Sequence, residues 1–422
     1  MKRIGGVLKF DKPPTKSGEA VFGFDKPLTK KGEAVFGFDK PLAIACTILS
    51  LLGLLFIYSA SSYGAGIQFG DLFHYVKTQA VALGLGVFVM FAVSYVNTKT
   101  VEKLSPFIYI ISIILLVLVF VPVLGVESYG AKRWLNLGFF TIQPSEFAKF
   151  GAVIAISAFM AKCDMSKFRN VIVVLLLGGI ICALLLAEPN MSITICSVAV
   201  MFILLFIGGA KLRHLVLLCV PVVVAGIILI VAEPYRMQRL LAFINPWASP
   251  LDEGYQLIQS YYALGSGGLF GVGLFNSRQK FLFLPFAESD FILSIIGEET
   301  GLIGILLLVL IFLFVVYRGI KIARHASDRF SAYTACGISA VIAVQTLLNV
   351  AVVCGAIPPT GLPLPFISAG GSSLVAYLGA IGMLLSISRR QVKFISVDSF
   401  CNDNQLKMQN HFKKRKYGTR NI

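Results

Sequence analysis

The sequence predicts an all-α, polytopic integral membrane protein of about ten transmembrane helices, with one long extracytoplasmic loop between the seventh and the eighth. Three observations carry this expectation. Of the 422 residues, 57% are hydrophobic and only 14% are charged, and the mean hydropathy of +0.82 is too apolar for a soluble domain of this length. Apolar runs of about 17–25 residues, long enough to cross a hydrocarbon core of about 30 Å, recur along the chain. Lysine and arginine are divided unequally between alternate loops, as in multi-pass proteins.

The runs fall at residues 42–61, 78–96, 106–124, 145–161, 170–187, 191–207, 212–232, 291–317, 331–354 and 368–388. An even number of spans leaves both termini on one side. That side holds nine Lys and Arg in residues 1–41, nine in 389–422 and eleven in the four loops between, against seven opposite. The bias predicts that both termini are cytoplasmic. The chain thus divides into a cytoplasmic tail (1–41), a transmembrane domain (42–390, with its outer loop at 233–290) and a basic cytoplasmic tail (391–422).

The net charge of +16 would suggest a nucleic-acid partner in a soluble protein; here membrane topology accounts for it, and no nucleic acid is expected. The first tail holds a tandem 14-residue repeat, FDKPPTKSGEAVFG at 10–23 and FDKPLTKKGEAVFG at 24–37, before a third FDKPL. Two units are too few for a solenoid, so a flexible duplicated arm is expected. The second tail is expected to be disordered or to lie along anionic lipid headgroups. The polar first 40 residues lead into a spanning run, which gives no sign of a cleavable signal peptide. Eight cysteines without a CxxC pair and four scattered histidines predict neither a disulfide framework nor a metal site.

The long outer loop contains an amphipathic stretch at 255–264 and a glycine-rich one, GSGGLFGVG, at 265–273. No strand precedes the glycines, so tight backbone packing or a hinge is expected rather than a nucleotide-binding turn. The predicted orientation gathers the unusual polar residues at the outer face. Glu146 and Lys149 share one face at the start of the fourth span, Glu188 and Pro189 end the fifth, and Asp290 opens the eighth. Arg133 precedes the fourth span, and Arg239, Arg278 and Lys280 lie in the long loop. Ionisable groups at such depth are costly and tend to face cavities. A carboxylate beside several cations suits sugar transfer from a lipid diphosphate to a hydroxyl. Other readings stay open: Glu146 with Lys149 as a structural ion pair, Asp290 as a helix cap, Glu298 and Glu299 as packing groups, and the whole as a transporter.

The segment NPWASPLDEGYQLIQSYYALGSGGLFGVGLFNSRQKFLFLPFAESDFILSIIGEETGLIG, at 245–304, closely resembles the SEDS family of FtsW, RodA and SpoVE. GAKRWLNLGFFTIQPSEFAK (130–149), AEPNMS (187–192) and LPLPFISAGGSS (362–373) match in family order, so the resemblance covers about residues 42–390. YQLIQS and NSRQKFLFLP are more similar to the FtsW and SpoVE branch than to RodA.

The resemblance implies the SEDS fold and a peptidoglycan glycosyltransferase. Such an enzyme polymerises lipid II into β-1,4-linked strands at the outer leaflet, in septal wall synthesis or sporulation, with a class B penicillin-binding protein and other division proteins as partners. It implies Asp290 as the catalytic base, with Glu146, Lys149, Arg133, Arg278, Lys280 and Glu188 binding substrate. A divalent cation, Mg or Mn, is compatible with that reading, and membrane lipids surround the chain. Phe286 and Glu288 stand where an acid and a histidine are frequent, Asn190 where an aspartate is, and Ala369 where a tyrosine is. A lipid II flippase, or a scaffold activating a partner synthase, are the alternatives.

Overall fold

The computed structural model describes residues 34–35, 38–128, 131–136, 138 and 141–392. The expectations for the basic tail, and for the duplicated arm apart from residues 34–35, fall outside these. Every predicted run is helical: α1 (Lys40–Phe69), α2 (His74–Tyr95), α3 (Thr98–Leu118), α4 (Pro144–Lys162), α5 (Phe168–Ala187), α6 (Met191–Ile207), α7 (Leu212–Val231), α10 (Ile292–Arg324), α11 (Arg329–Val353) and α12 (Gly371–Ser388). Two more, α8 (Pro234–Ile244) and α9 (Tyr255–Gly267), lie in the long loop; α9 is the predicted amphipathic stretch.

Eight of these helices are long and apolar enough to cross a bilayer. The other two runs, α4 and α6, are the central ones. α4 carries Glu146 and Lys149 and packs on α3, α5, α11 and α12, while α6, 17 residues long, packs on α4, α5 and α11. Surrounded by protein, α4 can hold charges that a lipid-facing helix could not. α7 is the opposite case, burying only Leu215, so its apolar surface faces outward all round.

Polar caps set several helix starts. Asp39 accepts from Leu42 N at 3.1 Å and Asp328 from Ser331 N at 2.8 Å, each satisfying an N–H group that has no partner within its helix. Asp39 also receives a two-point ion pair from Arg318, at 3.2 and 2.6 Å, and donates its own N–H to Ser388 Oγ at 3.3 Å. The start of α1 and the ends of α10 and α12 therefore meet at one end of the bundle. There β1 (Ala34–Val35) pairs antiparallel with β5 (Gln391–Val392). The two described chain ends share a side, as an even number of spans requires.

The eighth run departs from expectation. Its hydropathy predicts one continuous helix, but Gly301 has φ 67° and ψ −170°, and α10 is two helices end to end. The glycine-rich loop supplies what the break leaves unpaired. Val272 N and Gly273 N donate to the carbonyls of Glu298 and Glu299 at 2.9 and 3.1 Å, and Leu302 N and Ile303 N donate to Gly268 O and Leu269 O at 2.9 and 3.2 Å. Irregular backbone at membrane depth persists only where protein satisfies it in this way. A Cβ on Gly271 would lie 2.2 Å from Glu299 O, and one on Gly301 2.4 Å from Gly271 N, so tight backbone packing is what these glycines provide. Residues 302–324 alone make about 34 Å of helix, enough to span, which leaves 292–300 near the interface.

Between α3 and α4, at the opposite end from the chain termini, a small antiparallel sheet forms in the order β2 (Gly125–Ser128), β3 (Ala131–Asn136), β4 (Thr141–Ile142). It carries Arg133.

Candidate active site

Asp290 stands immediately before Phe291, the cap residue of α10, and no side chain caps that helix. The capping alternative is therefore not what the structure shows. Three successive carbonyls leading into α10 are each held by a donor. Ala369 N donates to Glu288 O at 2.9 Å, Ser368 Oγ to Ser289 O at 2.6 Å and Asn349 Nδ2 to Asp290 O at 2.9 Å. The Asp290 carboxylate is half-buried, and among the described residues its one hydrogen-bond donor is Ser289 Oγ at 3.1 Å. Burial raises its pKa above the usual carboxylate range, opposed by that bond and by the guanidinium groups of Arg239 and Arg133.

Those two arginines come from separate elements. Arg133, on β3, donates to the carbonyls of Glu188 and Pro189 at 3.3 and 2.5 Å. Arg239, on α8, lies over the Tyr235 ring at 4.6 Å. Glu188 ends α5 fully buried, and neither of its carboxylate oxygens has a partner. Burial pushes its pKa up to about 8 despite Arg133, so near neutral pH it is largely protonated. A carboxylate within electrostatic reach of two guanidinium groups, beside a carboxyl that tends to stay neutral, can accept a proton and hold an anion.

The family model described as "Cell cycle protein", which unites FtsW, RodA and SpoVE, matches residues 40–393. This chain belongs to that family. It is 40% identical to "Stage V sporulation protein E" of Bacillus subtilis (strain 168) over 355 residues, covering 82% of this chain and 96% of the relative. It is also 40% identical to "Probable peptidoglycan glycosyltransferase FtsW" of Coxiella burnetii over 352 residues, covering 82% and 95%. A chain from a solved structure described as "Structural coordination of polymerization and crosslinking by a peptidoglycan synthase complex" matches with a TM-score of 0.71 at 27% identity, covering 85% of this chain and 99% of that one. RodA of Thermus thermophilus shares the fold, with a TM-score of 0.64 at 24% identity over 85% and 98% of the two chains.

Within this family framework the structure separates the residues that the sequence grouped. Asp290, Arg133 and Glu188 come together. Glu146 and Lys149 do not join them as open ligands. Lys149 Nζ donates to Glu146 Oε2 at 2.6 Å, Gln345 Oε1 at 2.9 Å and Tyr377 OH at 3.1 Å, and both side chains are 1% exposed. An ammonium has three protons to donate, and all three are used. In this structure Lys149 and Glu146 therefore form a buried ion pair held by Gln345 and Tyr377.

Lys280 also points inward. It is buried, donates to Phe275 O and lies 3.6 Å from Glu299 Oε1, so it fastens the long loop inward. Glu298 and Glu299 are the anchors of that loop: Glu298 accepts from Arg278 N at 3.0 Å and Gln279 N at 3.3 Å, and Glu299 from Ser59 Oγ on α1 at 2.5 Å. Arg278 lends its backbone to this anchor while its side chain is exposed. Sequence reasoning placed Arg239 in the outer cluster but not among the site residues. The amphipathic pattern of residues 234–244, with Tyr235 one turn before Arg239, was the available signal.

Among the described residues, no three His, Cys, Asp or Glu side chains gather as a metal site.

Proposed function

We propose that this chain is a peptidoglycan glycosyltransferase that polymerises lipid II into β-1,4-linked glycan strands at the outer face of the bacterial membrane, in septal wall synthesis or sporulation. The observation that carries this reading is a half-buried carboxylate, Asp290, within electrostatic reach of Arg133 and Arg239 at the end of the bundle opposite the chain termini. Its relatives named as probable peptidoglycan glycosyltransferases support it. A dedicated base matters because a sugar hydroxyl is a poor nucleophile until its proton is removed.

Asp290 takes the proton from the GlcNAc 4-hydroxyl of one lipid-linked unit. That oxygen attacks the anomeric carbon of a second unit, whose bond to undecaprenyl pyrophosphate breaks with the electron pair leaving on the pyrophosphate oxygen. A single displacement inverts an α-linked donor to a β-linked product, and the stabilised leaving group needs no acid. Arg133 and Arg239 balance the charge that grows on the pyrophosphate, and the exposed Arg278 side chain extends the positive rim. A Mg or Mn ion would enter with the pyrophosphate. Both termini are cytoplasmic on the Lys and Arg bias, which puts Asp290 outside. The partner we assign is a class B penicillin-binding protein, which cross-links the product, together with other division proteins.

Purified protein incubated with labelled lipid II, with and without that partner, should yield polymeric glycan. Transfer of lipid II across liposomes with no polymer under any condition would favour the flippase reading and defeat this one.

A further inference from the structure

Asp290 has little side-chain support of its own: among the described residues, Ser289 is its single hydrogen-bond donor. What fixes it is its backbone. The loop that delivers it is long, and the carbonyls of residues 288–290 would be free to swing without partners. Ala369 and Ser368 hold the first two, and both belong to the ISAGGSS segment entering α12. The third is held from a different element. Asn349, on α11 and 1% exposed, donates both Nδ2 protons, to Asp290 O at 2.9 Å and to Leu362 O at 2.7 Å. Its Oδ1 is buried and has no hydrogen-bond partner among the described residues. Turned over, the amide would aim that oxygen at two carbonyl oxygens, so its orientation is dictated by what it holds.

We propose that Asn349, with Ser368 as its companion, is a positioning residue that fixes the backbone of Asp290 and the neighbouring 361–363 segment in the geometry that proton abstraction requires. One turn earlier on α11, Gln345 donates to Pro363 O at 2.9 Å and accepts from Lys149 and from Tyr377 OH. The 362–363 segment is therefore gripped at two successive carbonyls. Through that grip the buried Glu146–Lys149 pair becomes the foundation of the Asp290 seat, without touching substrate. A fully buried charge pair hydrogen-bonded to a loop anchor, Gln345, is a rigid base for a catalytic loop, and rigidity at this level sets how often the carboxylate points at its proton.

The proposal rests on Asp290 being the general base, and its test separates the two claims. Asn349→Ala and Ser368→Ala are made in the full chain and assayed with the partner protein on labelled lipid II, recording kcat, KM and the pH profile. Each should lower kcat about 10–100-fold with KM little changed, the loss expected when reacting groups drift by about 1 Å. The acid limb of the profile should also move to lower pH, since a looser seat admits water to a carboxylate whose pKa burial has raised. Ser368→Thr keeps the hydroxyl and should restore most of the rate. Where Asn349→Ala fails to fold, Ser368→Ala carries the same split between kcat and KM. Wild-type kcat in well-folded variants, or a rise in KM alone, overturns the positioning role while leaving Asp290 untouched. A wild-type protein that makes no glycan overturns the reading of Asp290 instead.

Discussion

Replacing Lys149 by methionine tests the buried-pair reading of the fourth span most sharply. Methionine has nearly the length of lysine, so the change removes a charge and three hydrogen bonds while leaving little cavity. Glu146 Oε1 already lacks a partner, and losing the 2.6 Å bond from Lys149 would strand the other oxygen too. Breaking one side of a buried ion pair costs about 3–5 kcal/mol, a factor of about 10²–10⁴ in the folded ratio. Removing both charges avoids that cost: Gln345 and Tyr377 still bond each other, so Glu146→Gln with Lys149→Met should recover at least half of the stability. The assay is a double-mutant cycle of thermal unfolding in detergent, with glycan synthesis expressed per folded molecule. A Lys149→Met protein of wild-type stability that binds lipid II weakly would refute the buried-pair account and return Lys149 to the substrate.

Gly361→Ala should cut turnover at least tenfold. The position has φ +69°, and a Cβ there would lie 3.2 Å from Asp290 Oδ2, so the variant adds about 1–2 kcal/mol of backbone strain and crowds the base; wild-type turnover would contradict this. Arg239→Ala should weaken lipid II binding and turnover by about 10–100-fold, the worth of a charge-assisted contact of about 1.5–3 kcal/mol, and Arg239→Lys should recover part of it. Deleting residues 10–37 should leave glycan synthesis within about twofold, because the described part of that stretch, residues 34–35, pairs with 391–392 at the end of the bundle away from Asp290; a large loss at equal membrane level would contradict it.

The helical architecture was legible because spanning runs declare themselves by length and hydropathy, and all ten apolar runs are helices. The break in α10 was not, since Leu302 and Ile303 continue the apolar run and only a backbone pairing with residues 268–273 reveals why Gly301 bends. The glycines themselves signalled close packing but not its partner. Glu146 and Lys149 were visible as charges in a span, yet charge in a span marks cost and not role. Their partners Gln345 and Tyr377 reach them from distant helices and leave no trace in local spacing. Asp290 was recognisable through its motif. The clamp on its backbone was not, because backbone carbonyls carry no sequence signature, and Asn349 reads as one more polar residue in a long helix.

The central claim is that Asp290 takes the proton, and Asp290→Asn tests it most directly. Asparagine keeps the size and leaves the carbonyl clamps in place, so the variant should fold, insert and bind lipid II as the wild type does. Glycan synthesis with the partner present should fall about 10²–10⁴-fold, the range lost with a general base. Because the base must be deprotonated and burial raises its pKa, wild-type activity should be lost as pH falls through a value above the usual carboxylate range, and the residual activity of the variant should lack that limb. An Asp290→Asn protein that polymerises lipid II at the wild-type rate, with the same acid limb, would contradict the account.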